Sequence, residues 1–212
     1  MKLIFDLDGT LIDSLPGLLA VTNGVLAEES LPPLTLAQLR MMVGDGAAKL
    51  LQRAFAASGG PEPGQAILER WLRRYMDDAT GDPYPGLHTL LRRYPATKLG
   101  LCTNKPRLPT LRILRLLEVE ARFGAVFAGD DLGFRKPDPR HLQAVIDALG
   151  GGPALYVGDS EVDAEAARLA GVPFVAMRHG YSRGPVESLG AVAVLDSLDA
   201  LPALVEALQD HP

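Results

Sequence analysis

MKLIFDLDGTLIDS, residues 1–14, decides how the rest of the chain is read. A short apolar run, Leu3 to Phe5, leads into Asp6 and Asp8 and breaks at Gly9, the pattern of a strand that ends in a carboxylate pair. Side chains alternate along a strand, so Asp6 and Asp8 are expected on one face, and the Gly-Thr turn lets the backbone bend away from whatever they hold. Two carboxylates on one face repel each other and require a cation, a shared proton or a basic partner. A strand end with solvated acids is the alternative, and residues further along the chain decide between the two.

The chain has 212 residues, 47% of them hydrophobic, enough for one domain with an insertion or for two small domains. Its net charge is −5, and Arg70, Arg73 and Arg74 are interspersed with Glu69, Asp77 and Asp78. Nothing there suits a nucleic-acid backbone. The single cysteine, Cys102, sits in the apolar run LGLC, as a small buried hydrophobe would, and a reducing cytoplasm fits. No apolar segment is long enough to span a bilayer, and Met1 leads into a strand instead of a signal peptide, so no membrane partner is expected.

After Ser14, LLAVTNGVLAEE and LAQLRMMVG have helical spacing, separated by LPPLT and SGGPEPGQ, and no strand-like run occurs up to about Asp82. From Pro85 the pattern alternates. The helices LHTLLRRY, LPTLRILRLL, PRHLQAVIDALG and DAEAARLAG interleave with strands at Lys98–Thr103, Ala125–Ala128, Ala154–Val157 and Phe174–Met177, before a last strand-helix pair. This predicts an α/β fold, a doubly wound parallel sheet of Rossmann-like form. The first strand belongs to it, so the core is expected over residues 1–14 and 83–212, with a helical cap inserted over 15–82 and crossings at 13–16 and 81–86.

Ligands of such sheets gather beyond the carboxyl ends of the strands. There the chain places Thr103, Asn104 and Lys105, Lys136 in RKPDP, and Asp159 and Asp163 in LYVGDSEVD. Taken singly, Thr103, Asn104 and Asp159 read equally as helix caps and Lys136 as a solvated loop lysine. Taken jointly with Asp6 and Asp8, they suit phosphoryl transfer. Mg²⁺ takes a few carboxylates plus phosphate. One carboxylate attacks phosphorus while the metal offsets charge. A second protonates the leaving alkoxide and then activates water, and hydroxyl, amide and ammonium donors hold the equatorial oxygens. In MVGDGAAKLL, residues 42–51, Gly44 and Gly46 would expose N–H groups suited to a small carboxylate, although a plain helix start capped by Asp45 is equally compatible. His88, His141, His179 and His211 have no metal-ligand spacing and are expected to be solvated or capping, and Asp130 and Asp131 to be dipole partners.

DLDGT at 6–10, Thr103-Asn104, Lys136 and GDSEVD resemble, in order, the four motifs of the haloacid dehalogenase superfamily, over essentially the whole chain. FDLDGTLIDS, LCTNKP, AGDDLGFRKPDP, VGDSEVDAEAARLAG and HGYSRG look like its phosphoglycolate phosphatase branch. The resemblance implies Asp6 as nucleophile and metal ligand, and Asp8 as general acid/base whose carbonyl also reaches Mg²⁺. It further implies Asp159 as a third ligand, Asp163 as support for Asp159 or Lys136, and Thr103 and Lys136 as phosphoryl-binding groups, with Asn104 beside them. The implied activity is hydrolysis of a small phosphorylated metabolite, 2-phosphoglycolate first, by a monomer or homodimer under a helical lid. A phosphosugar mutase, a phosphatase for a sugar phosphate or pyrophosphate, and a non-catalytic binding module are the alternatives. The intact acidic set argues against the last, since losing the chemistry removes the need for so many like charges.

Overall fold

The computed structural model of the protein describes residues 1–78 and 81–210. Its strands are β1 (Lys2–Phe5), β2 (Ile12–Asp13), β3 (Asp82–Pro83), β4 (Leu99–Cys102), β5 (Ala125–Phe127), β6 (Ala154–Gly158), β7 (Phe174–Met177) and β8 (Ala193–Leu195). The helices are α1 (Leu15–Glu28), α2 (Leu36–Arg40), α3 (Ala47–Ala57), α4 (Gln65–Asp78), α5 (Leu87–Arg93), α6 (Arg107–Leu116), α7 (Pro139–Ala148), α8 (Glu161–Ala170) and α9 (Leu201–Asp210).

Six strands form one parallel sheet in the order β5-β4-β1-β6-β7-β8. β1 is central, with Leu3 opposite Leu99 on one side and Leu155 on the other. Its alternate residues enter different apolar clusters. Leu3 and Phe5 join Leu101, Val157 and Met177, whereas Ile4 joins Tyr156 and Ala176 under Leu142 and Val145 of α7. A sheet covered on both faces explains why its strands read as unbroken apolar runs. The doubly wound architecture expected from the sequence is therefore present.

α1 to α4 lie between β2 and β3, which pair antiparallel with Ile12 opposite Pro83 and Asp13 opposite Asp82. That two-residue ladder has no sequence signature, because Asp-Pro offers neither β-branching nor a proline N–H. α1 starts at Leu15 with Pro16 in its first turn, so the first crossing is shorter than 13–16. Proline fits there because a first-turn N–H has no partner inside the helix. Trp71 and Tyr75 of α4 stack with ring centroids 4.8 Å apart, and Trp71 Nε1 donates to Thr22 Oγ1 of α1 at 3.1 Å. The cluster that holds Leu3 and Phe5 continues through Leu50 and Trp71, so the inserted helices share one apolar core with the sheet. Among the described residues no helix is long and apolar enough to cross a membrane.

Candidate active site

β1 stops at Phe5, so Asp6 and Asp8 do not share a strand face as the alternation predicted. They occupy a tight loop in which the Leu7 carbonyl accepts N–H groups from Thr10, Leu11 and Ile12 at 3.3, 2.9 and 3.1 Å. Gly9 turns this loop with φ of +82°, and a Cβ there would stand 2.4 Å from Asp159 Oδ2. Conformation and space both demand glycine. The loop aims both carboxylates into one cavity, which they line together with Thr103, Asn104, Lys105 and Asp159.

On the Asp6 side, Lys136 Nζ lies 3.0 Å from Asp6 Oδ1 and donates to Asp163 Oδ1 at 2.6 Å and to Tyr156 Oη at 2.8 Å. Asp163 Oδ2 accepts from Ser160 Oγ at 2.6 Å and from the backbone N–H groups of Ser160 and Asp159. Ser160, not Asp159, caps α8, in a capping box closed by Asp163. Burial alone would raise the Asp163 carboxyl, but Lys136, Ser160 and Tyr156 outweigh it and hold it below the usual range. Burial likewise pulls the Lys136 ammonium down, and Asp163 and Asp6 more than reverse this.

Asp6 is different. Burial pushes its carboxyl up to about 7 despite Lys136, with Asp163 and Asp8 adding to the rise. Burial followed by Asp163 and Asp6 also raises Asp159 well above the ordinary range, although Asp159 Oδ1 accepts from Thr10 at 2.7 Å and its Oδ2 from the Tyr181 N–H at 2.6 Å. The Lys136 approach to Asp6 Oδ1 lies off the hydrogen-bonding direction, so that buried oxygen has no directed partner. Carboxylate oxygens of Asp6, Asp159 and Asp163 fall within 4.8 Å of one another. Crowded oxygen donors short of positive charge fit a hard divalent cation. Asp163 is the most heavily engaged of the three, with Lys136 and Tyr156 on one oxygen and Ser160 and two backbone N–H groups on the other, whereas each Asp159 oxygen accepts one donor, so Asp6 and Asp159 keep the lone pairs able to hold it.

On the Asp8 side stands a second lysine, which the sequence reading noted without giving it a role. Lys105 Nζ donates to Asp8 Oδ1 at 2.8 Å and Oδ2 at 3.1 Å, and to Tyr75 Oη of α4. Burial lowers the Lys105 ammonium, but Asp8 and Tyr75 more than offset it. Thr103 is no helix cap; its Oγ1 accepts the Lys105 N–H at 3.2 Å and keeps its own proton to donate. Asn104 is no cap either. Its Nδ2 donates to the carbonyls of Gly44 at 3.0 Å and Lys136 at 2.9 Å, tying an inserted loop to the Lys136 loop. Gly44 and Gly46 line the cavity at positive φ, and Gly46, not Asp45, precedes α3 as its cap residue. Asp45 instead pairs with Arg53 at 2.5 Å and Arg183 at 2.6 Å.

Arg183 belongs to HGYSRG, whose part in the site the sequence reading missed. In the same loop the Tyr181 N–H reaches Asp159, while Tyr181 Oη donates to Asp13 Oδ1 at 2.8 Å and accepts the Ser14 N–H at 2.8 Å. Arg40 also donates to the Gly180 carbonyl at 2.5 Å. Glycine and tyrosine between charged residues were the signal of a loop that packs closely. Two histidine expectations need correction. His141 is fully buried without hydrogen-bonded ring nitrogens, and burial lowers it to about 4. His179 is half-buried, its ring tilted by 33° against Tyr84 with centroids 3.6 Å apart and its Nε2 3.3 Å from the Thr10 carbonyl. His88 is exposed, as expected, and His211 lies outside the described residues. Asp130 accepts the N–H of Arg107, the first residue of α6, as a helix-dipole partner would, and Asp131 accepts the Ala128 N–H within its own loop.

A family model described as haloacid dehalogenase-like hydrolase matches residues 3–177. The chain belongs to that family. Among relatives of this hydrolase, a phosphoglycolate phosphatase of Rhodospirillum rubrum is 47% identical over 211 residues, covering 93% of this chain and 88% of the relative. One of Caulobacter vibrioides is 41% identical over 218 residues, covering 98% and 92%. The hydrolase also superposes on a crystal structure from Haemophilus somnus, titled a predicted phosphoglycolate phosphatase, with a TM-score of 0.87 at 27% identity over 96% and 97% of the two chains.

Proposed function

We propose that the chain is a Mg²⁺-dependent phosphatase that hydrolyses 2-phosphoglycolate to glycolate and phosphate through an aspartyl phosphate. The observation that carries this is the pair Asp6 and Asp8 in one cavity, each matched to its own buried lysine. The substrate is proposed from the relatives at 47% and 41% identity. Asp6 attacks phosphorus, and the P–O bond to the glycolate oxygen breaks as Asp8 gives that oxygen a proton. Asp8 then takes a proton from water, which displaces phosphate from Asp6. Thr103 and Lys136 hold the phosphoryl oxygens, and Asp163 with Tyr156 fixes Lys136 in place. For Asn104 to join them, a phosphoryl oxygen would compete with the Gly44 carbonyl.

Asp6, Asp159 and the main-chain carbonyl of Asp8 are the groups we assign to Mg²⁺, which when bound offsets charge between anionic nucleophile and anionic substrate. Residues 15–82 serve as a cap on the core formed by 1–14 and 83–212, with β2 and β3 as paired hinges. The N–H groups around Gly44 to Gly46 then face the substrate. We place the enzyme in the cytoplasm, where a lone buried thiol such as Cys102 stays reduced. The test is kcat/KM over a panel of phosphomonoesters with Mg²⁺. 2-Phosphoglycolate should rank first, and conversion of one sugar phosphate into another without phosphate release would instead indicate a mutase.

A further inference from the structure

The chemistry above employs Lys136 and leaves a second buried ammonium without a task. Lys105 has a side chain only 2% exposed and spends two of its three donors on the two oxygens of one carboxylate, Asp8. One of those bonds suffices to orient Asp8, so the other donor is available to an arriving acceptor. Lys105 and Tyr75 both line the cavity onto which Asp6 and Asp8 open, and the wall contributed by the inserted helices is otherwise apolar there, with Leu18, Val43, Leu50 and Trp71. An anionic group moved out of water against such a wall needs a charged donor.

We propose that Lys105 reads the leaving group, donating to a carboxylate borne on the ester carbon of the substrate. This rests on the phosphatase reading and names the substrate class of that site. Asp8 marks where the ester oxygen sits, because it supplies that oxygen's proton. Lys105 Nζ lies one hydrogen bond beyond Asp8, at 2.8 Å, and lines the same cavity, within reach of a carboxylate two carbons from that oxygen. Lys105 keeps one Asp8 oxygen and Tyr75 and gives the freed donor to the substrate. An alkyl leaving group offers no acceptor there and gains nothing from the lysine.

The experiment compares 2-phosphoglycolate with ethyl phosphate, which has the same carbon count and no carboxylate, on wild type, Lys105→Met and Lys105→Gln, all with Mg²⁺. Glutamine retains hydrogen bonds without charge and serves if the methionine variant does not fold. Wild type should favour phosphoglycolate in kcat/KM, and either variant should lose about a hundredfold of that preference, the usual scale for deleting one member of a buried charge pair. Equal losses on both esters would overturn the proposal, because Lys105 would then act only through Asp8. A wild type that hydrolyses both esters without preference would also overturn it, while the phosphatase reading would stand. A wild type that releases no phosphate from any ester would instead sink that reading.

Discussion

At the scale of single residues, the site is an arrangement of charges that substitution should unbalance in opposite directions. Asp6→Asn removes an anion from a crowded cluster and is nearly isosteric. Stability should hold or rise while turnover disappears. Thermal melting and kcat measured together check this, and a variant keeping a tenth of wild-type kcat, a barrier change of only about 1.4 kcal/mol, would exclude Asp6 as nucleophile. Lys136→Met should act the other way. It strands Asp163, whose side chain is wholly buried, and breaking such a pair costs about 3–5 kcal/mol. Urea denaturation should show that loss, and a variant as stable as wild type would mean Tyr156 and Ser160 alone satisfy Asp163.

At the scale of elements, the inserted loop before α3 carries the next expectation. Gly44 has φ of +112° with nothing within 4 Å of a Cβ, so Gly44→Val introduces backbone strain without a clash in the resting protein. The strain should cost about 1–3 kcal/mol in stability. If the N–H groups around Gly44 meet the substrate, kcat/KM for 2-phosphoglycolate should fall further than for a small aryl phosphate. Equal losses would reduce the loop to a closing element. The elements themselves were largely legible beforehand. Phe174–Met177 was bounded to the residue, and β1, β4, β5 and β6 to within one, because burial on both faces writes unbroken apolar runs, whereas β8 was expected only as part of a last strand-helix pair. β2 and β3 were not, since two-residue pairing depends on what the fold brings together. Asp6, Asp8, Asp159 and Lys136 were readable as strand-end chemistry. Lys105 and Tyr181 were not, because their importance comes from Asp8, Tyr75, Asp13 and Asp159, partners distant in sequence.

At the scale of the whole molecule, the acidic cluster ties stability to pH and to cation. In the metal-free protein, folding lifts Asp6 from the usual 3.8 to about 7, and Asp159 moves the same way. Between those values the two carboxyls bind more protons when folded, while His141, which burial lowers from 6.5 to about 4, opposes them below about pH 6.5, so stability should fall as pH rises from there through about 7. Melting in chelator should therefore occur at a higher temperature near about pH 6.5 than near about pH 7.5, and Mg²⁺ should shrink the difference. A metal-free melting temperature that climbed over this interval would mean Asp6 ionises without a cation. Chelator should also abolish activity and Mg²⁺ restore it.

The place of β1 in the sheet has a consequence for biosynthesis. The strand translated first among the six becomes the middle one, and its two neighbours start only at Leu99 and Ala154. At ordinary elongation rates the second of these leaves the ribosome on the order of 10 s later. Until Leu99 to Cys102 emerges the nascent chain carries Leu3 to Phe5 with both edges bare, and from then until β6 emerges with one edge bare. A ribosome paused before Ala154 therefore holds a chain prone to aggregate, and one paused once Gly158 has cleared the exit tunnel holds a chain whose first strand can be enclosed.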